Sequence, residues 1–222
     1  MIKKRSEFVP LAFEKSLRKW GNMFRSRNDA RSQELNESLV RLAYIAEIKE
    51  WDNRLHLERM RGYCQLLAQT VGLTGQEAFL LGIASQLHDI GKSMMSDQLL
   101  REGGKYDDSE RPLIERHTID GAKILDGSSS AIIQIGASIA LTHHERWNGS
   151  GYPNHLKGEE IPLGGRICAI ADVFDALTTV RSYKQTVSKE EALQLVLDSS
   201  GVLFDPTLVR AFKEQFTEIK KI

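Results

Sequence analysis

The chain has 222 residues, with 30 Lys and Arg against 30 Asp and Glu, so its formal net charge is zero. That length suits one sizeable domain with its own core, or a domain plus an extension. The neutral balance argues against binding a nucleic-acid polymer, which needs a basic excess, and the lack of an apolar run of ~18 residues argues against a membrane span.

The first segment, residues 1–32, is rich in Lys and Arg. It opens on MIKKRSEF, basic but without the apolar stretch of a secretory signal. The expected location is cytoplasmic. After Pro10, the residues Phe13, Leu17, Trp20 and Phe24 recur at helical spacing, with Lys15, Arg18, Lys19 and Arg25 among them. Two readings of this amphipathic N-terminal helix compete: a membrane-surface or partner-coupling element, and a helix laid on the main domain. The second is preferred, so membrane contact is not expected. RSRNDARS then reads as a linker.

From residue 33 to 222 helical periodicity dominates, and no period-two alternation competes with it. Leu35, Leu39, Leu42, Ile45 and Ile48 form one apolar stripe. Met60, Tyr63, Leu67 and Val71 form another, after Arg54, and Gly72 closes that helix. Residues 76–88 are almost wholly apolar and predict a buried helix that ends at His88. Further helices fit 109–125, 130–143, 164–180, 189–199 and 206–218. Between them REGGKYDD, DGSSS and NGSGYPNHLKGEE carry turn residues. Cys64 and Cys168 sit in apolar helical patterns without paired spacing, which fits core thiols in a reducing compartment. The fold expectation is all-α.

Several polar residues interrupt these apolar helices. His88 and Asp89 directly follow one; His56, His117, the pair His143–His144, and Asp172 stand on or beside others. A buried His–Asp pair costs several kcal/mol unless partners satisfy it. A hydrogen-bonded core pair would do so, and so would a metal. The recurrence of the pattern favours the metal. Mixed His and Asp donors without Cys suit Fe, Mn, Co or Zn rather than Ca. Asp89 has two oxygens and can bridge two ions, and two ions ~3.5–4 Å apart suit attack on phosphorus. Neighbouring helical residues point about 100° apart, so His143 and His144 can share an ion only near a helix end. Glu145-Arg146-Trp147-Asn148 is such an end.

HDIGK, a downstream His, HHERWNGSGYP and ADVFDALTTVRSYK together resemble the HD-GYP domain, a subgroup of HD phosphohydrolases that cleaves cyclic di-GMP. The resemblance runs from roughly residue 40 to 215 and includes the tail GVLFDPTLVRAF. It implies an HD-domain helical bundle over 33–222 with the N-terminal helix added. It also implies two divalent metal ions, Fe or Mn. His56, His88, Asp89 and Asp172 are then similar to the ligands of one ion, and Asp89, His117, His143 and His144 to those of the other. Some members bind a third ion through a Glu four residues before the first His. Here Asp52 holds that position; the alternative is that it caps the helix starting near Asn53.

By the same resemblance Asp89 and Lys92 carry catalysis, and Lys92 contacts the scissile phosphate. Arg181 and Lys184 correspond to the family's ligand-binding pair. Asp175 corresponds to a carboxylate on the substrate side or behind a metal ligand. Tyr152 either presents its hydroxyl to substrate or anchors its loop. The implied activity is phosphodiester hydrolysis of cyclic di-GMP by a metal-bridging hydroxide, to pGpG or, with a second cut, to GMP. A low-turnover sensor of cyclic dinucleotides, or a docking module for a diguanylate cyclase, is the first alternative. A related substrate, 3′,3′-cyclic GMP-AMP, is the second. The GYP segment argues against a phosphohydrolase of other nucleotides. A homodimer or an upstream sensor partner would supply regulation.

The chain departs from the family pattern at Ser93-Met94-Met95-Ser96-Asp97, at Glu102-Gly103-Gly104, and at His155, where a Gly is usual. None of these is an implied ligand. His155 reads as an exposed bystander.

Overall fold

The computed structural model describes residues 30–46, 53–101, 107, 109–179 and 186–222. Asp52, Arg181, Lys184 and the expected N-terminal helix lie outside the described residues. Among the described residues there is no β-strand, only an isolated bridge between Ser200 and Phe204, and the all-α expectation holds. The helices are α1 (Ala30–Ala46), α2 (Asn53–Thr70), α3 (Gly75–Ser85), α4 (Asp97–Arg101), α5 (Arg111–Leu125), α6 (Ala131–Thr142), α7 (Leu163–Thr178), α8 (Lys189–Asp198), α9 (Pro206–Glu214) and α10 (Phe216–Ile219). A 3-10 turn, Ile90–Met94, lies between α3 and α4. Helix α1 begins at Ala30, so the last residues of the expected linker belong to it.

The core forms where apolar stripes meet. Met60, Tyr63, Leu67 and Val71 of the α2 stripe are all buried. With Leu57 and Cys64 they pack α2 on α3 and α7. Each fully buried aliphatic side chain there contributes roughly 1.5–3 kcal/mol. Ile135, Ile139 and Ala140 of α6 meet α3, α5 and α7. Phe174 of α7 packs edge-on against Tyr63 and Phe212, which ties α9 to the same core.

The stripe on α1 differs from expectation. Leu39 is buried, but Leu42 and Ile45 are 52% and 60% exposed. Ala43 and Ala46 join Leu39 on the buried face instead. These small residues share a helical face with Leu39 at i+4 and i+7, and they let α1 approach the turn Ile90–Met94 closely. Hydrophobicity alone pointed to the larger residues, whereas close approach selects the smaller ones.

Local signals end the helices. Thr74 and Glu77 form a reciprocal capping box that starts α3. Asp205 caps α9 through Thr207 N at 2.8 Å, with Pro206 in the first turn. The apolar helix expected to reach His88 stops at Ser85. Gln86 to Asp89 form turns before the 3-10 segment. Gly91 is needed here, because a Cβ on it would run into the carbonyl oxygen of His117. The missing side chain brings the turn that carries His88, Asp89 and Lys92 against α5.

Candidate metal centre

Five elements deliver the polar residues to one place. His56 comes from the first turn of α2, His88 and Asp89 from the turn after α3, and His117 from mid-α5. His143 caps the end of α6 with His144 just past it, and Asp172 lies on α7. The expectation that the paired histidines stand at a helix end therefore holds. The seven histidine and aspartate residues fall into two groups. Asp89, His117, His143 and His144 each present a ligand atom within 4.8 Å of the others, and so do His56, His88 and Asp172.

Asp89 sits between the groups. One of its oxygens, Oδ2, is 3.2 Å from His88 Nε2. The other, Oδ1, is 3.2 Å from His117 Nε2 and 3.5 Å from His143 Nε2. Asp172 Oδ1 stands 4.0 Å from His88 Nε2. Imidazole rings line the space between, with His88 and His143 centroids 5.1 Å apart and His143 and His144 4.0 Å apart.

Hydrogen bonds behind the rings set their tautomers. His88 Nδ1 donates to Ser85 O at 2.9 Å, and His117 Nδ1 to Ile114 O at 2.6 Å. His143 Nδ1 lies within reach of Ile139 O and Ala140 O, at 3.1 and 3.0 Å. A carbonyl oxygen can only accept, so each Nδ1 carries the proton. Each Nε2 then turns a lone pair toward the cluster, as metal-ligating histidines do. His56 follows the same rule with a carboxylate, since its Nδ1 donates to Asp175 Oδ2 at 2.8 Å.

Electrostatics agree with a cation site. Burial alone would raise the Asp89 carboxyl, but the Lys92 ammonium beside it leads the influences that hold it well below the usual range. Burial lowers His143, and it lowers His144 further with the help of neighbouring imidazoles. Both are neutral near pH 7, the form that binds metal. The buried Asp89 Oδ1 accepts no hydrogen bond. An ionised carboxylate oxygen left that way inside a ring of imidazole lone pairs is costly, and a divalent cation satisfies it. The donor set therefore fits a metal of the imidazole- and carboxylate-binding kind.

The remaining sequence-derived residues divide. Lys92 Nζ lies 2.6 Å from Asp89 Oδ2, and its side chain is 20% exposed, so it stands at the mouth of the cluster. Tyr152 stacks on His144 with centroids 4.8 Å apart and planes 26° apart. Burial and the nearby carboxylates push its phenol above the usual range. Asp175 does not face the opening. It is 1% exposed, and its oxygens are taken by His56 and by Arg59, whose Nε donates at 2.6 Å and Nη2 at 3.1 Å. The substrate-side reading of Asp175 is thus corrected by its burial: it holds His56 in place from behind.

Arg59 joins the site through the Asp175 carboxylate, a part that no motif assigns it. Its only sequence signal is its position three residues after His56, on the same helical face. The sequence marks Glu145 only as part of a helix end, yet it is buried beside the paired histidines. A separate cavity of about 650 Å³ lies between α1, α2 and α3, lined by Tyr44, Leu57, Arg61, Phe79 and Gln86 among others, and contains none of the clustered residues.

The HD domain family matches residues 30–208. The chain belongs to that family, in its HD-GYP branch. Among curated relatives, a 3′3′-cGAMP-specific phosphodiesterase of Vibrio cholerae is 41% identical over 82% of this chain and 35% of its own length. The cyclic di-GMP phosphodiesterase response regulator RpfG of Xanthomonas campestris is 41% identical over 89% of this chain and 52% of its own. A cyclic di-GMP phosphodiesterase of Thermotoga maritima is 39% identical over 85% and 51%. The chain thus spans from about a third to about half of the length of these relatives. A solved structure of a cyclic GMP-AMP phosphodiesterase of Vibrio cholerae superposes with a TM-score of 0.60 at 27% identity, covering 83% of this chain and 49% of that one. HD domains depend on metals, and the His/Asp cluster of this HD-GYP chain has the donors to hold one. Among the described residues, no helix is long and apolar enough to cross a membrane.

Proposed function

We propose that this chain is a metal-dependent phosphodiesterase that hydrolyses cyclic di-GMP to linear pGpG, with GMP as the alternative end product. One observation carries the reading: Asp89 stands between two groups of metal-donor side chains, with Lys92 beside it at the mouth. His56, His88, Asp89 and Asp172 would hold one ion, and Asp89, His117, His143 and His144 a second. Fe or Mn suits this donor set, and Asp52 is the candidate for a third ion. Such ions supply Lewis-acid charge and an acidified water for in-line attack on phosphorus.

The chain's own residues do the rest. The protonated Nδ1 atoms keep Nε2 turned inward. Lys92 meets the negative charge that grows on the non-bridging phosphate oxygens in the transition state. Tyr152 lies over His144 and would offer its hydroxyl to the nucleotide. Arg181 and Lys184 hold the dinucleotide, Arg181 by the paired donors that suit phosphate or guanine. Water's oxygen joins phosphorus, the 3′ ester bond breaks, and the released oxygen takes a proton.

A second substrate, 3′,3′-cyclic GMP-AMP, is kept because a relative named for it is as similar, at 41% identity, as the cyclic di-GMP enzymes. The test is anaerobic purification, metal analysis, and incubation with each cyclic dinucleotide followed by chromatography of products. Release of pGpG supports the reading. No hydrolysis of either compound by protein fully loaded with Fe or Mn overturns it, and retained dinucleotide binding in that case would favour a sensor.

A further inference from the structure

Glu145 follows His143 and His144 directly, and by residue type it could be one more metal ligand. Its hydrogen bonds assign it elsewhere. The side chain is 3% exposed, and both oxygens are taken by the backbone of the loop that comes next. Asn154 N donates to Oε1 at 2.7 Å, and Leu156 N donates to Oε2 at 3.1 Å. The residue between these two donors is His155, whose φ of 55° is left-handed. That local turn lets two amides, one on either side of it, converge on a single carboxylate. The loop then returns through Gly158 N, which donates to Trp147 O at 2.9 Å.

The same loop is pressed onto the ligand histidines. Tyr152 N donates to His144 O at 3.2 Å. Gly151 crosses the backbone of residues 144–146 so closely that a Cβ would collide with His144 O, Glu145 Cα and Arg146 N. Tyr152 thereby reaches the face of the His144 ring. A charged acceptor makes stronger hydrogen bonds than a neutral one, so Glu145 is the anchor on which the loop closes.

We propose that Glu145 is a positioning residue: its buried carboxylate seats the loop that places Tyr152 over His144, and it does not bind metal. The catalytic consequence rests on the phosphodiesterase reading above; the seating itself does not. Glu145→Gln keeps the shape but swaps one acceptor for a donor that opposes an N–H.

Three measurements on wild type and Glu145→Gln decide the matter: amide exchange at Asn154 and Leu156 by NMR, metal content, and KM and kcat for cyclic di-GMP. In wild type both amides are expected to be protected, although they lie in an exposed loop. In Glu145→Gln their exchange should speed by about tenfold or more, while amides of α5 and α6 stay as they were. Metal content should match wild type. KM should rise by about tenfold, with kcat changed far less. Loss of metal from Glu145→Gln overturns the proposal, because Glu145 would then be a ligand. Unprotected amides in wild type overturn it even if the variant does not fold. Unchanged exchange and KM in a folded variant also overturn it. If wild type leaves cyclic di-GMP intact, the substrate reading fails, and the exchange and metal results still decide the role of Glu145.

Discussion

Asp175 Oδ2 accepts the Nδ1 proton of His56 at 2.8 Å, and so decides which nitrogen of His56 faces the cluster. Arg59 grips the same carboxylate through two donors and reaches Thr179 Oγ1 at 3.0 Å. The Asp175 carboxyl, which burial would raise, is held below its usual range by His56 and Arg59. Asp175→Asn weakens both links without opening a cavity. Metal affinity on the His56 side is expected to fall about 10- to 100-fold, the usual cost of losing such a supporting group. Competition with a chromogenic chelator measures it. Affinity equal to wild type would mean that packing alone orients His56.

Asp89 and Lys92 make opposite predictions although they touch. Asp89→Ala removes the carboxylate that faces both groups, and metal content should drop to background. Lys92→Met removes only the ammonium, so metal content should hold while kcat falls about 10²–10³-fold, the magnitude typical of losing one donor to transition-state charge. Metal analysis and steady-state kinetics on both proteins separate holding the metal from stabilising the reaction. Metal loss in Lys92→Met would instead make the 2.6 Å Lys92–Asp89 pair a structural requirement of the site.

The cluster was legible in the sequence because metal binding restricts side-chain chemistry: histidines and aspartates had to interrupt apolar helices. The α2 stripe was legible for a similar reason, since Met60, Tyr63, Leu67 and Val71 all repeat on one face. Helix α1 was harder. Leu42 and Ile45 carry the hydrophobicity, but Ala43 and Ala46 carry the contact, and spacing does not reveal how near a neighbour comes. The direction of Asp175 depends on Arg59 of α2, 116 residues away in the chain, a pairing that no local pattern encodes. Glu145 was hidden for another reason: its partners are backbone amides, which every non-proline residue has. The GYP loop is recognisable by its residues, whereas the carboxylate that seats it is recognisable only by geometry.

His155, exposed and outside the cluster, is constrained by backbone rather than chemistry. Its φ of 55° falls where the family usually has Gly. A left-handed non-glycine residue costs about 1–2 kcal/mol, while Gly loses about 0.5–1 kcal/mol more chain entropy on folding. These offset only in part, with a net of about 0–1.5 kcal/mol in favour of Gly, so His155→Gly should leave KM close to wild type and thermal stability equal or slightly higher. His155→Val adds a β-branched side chain in the same conformation. It should loosen the loop, raising KM and speeding exchange at Asn154 and Leu156. If Val behaves like Gly, the left-handed turn is not needed to bring the two amides to Glu145.

The paired histidines predict a pH dependence in metal-stripped protein. Burial lowers the folded-state values of His143 and His144 below the ordinary 6.5. An unfolded chain therefore takes up protons at a pH where the folded one does not, and stability must rise with pH. The contribution is complete above pH 6.5 and is lost as pH falls below it. Thermal midpoints of the stripped protein should accordingly drop between pH 7 and pH 5. His144 is lowered the more strongly, and it stands at the rim under Tyr152 rather than in the core. His144→Gln keeps a polar side chain there but cannot take up a proton, so its midpoint should fall less over the same range. Equal slopes for the two proteins would show that His144 protonates alike in both states, and that its neutrality does not come from the fold.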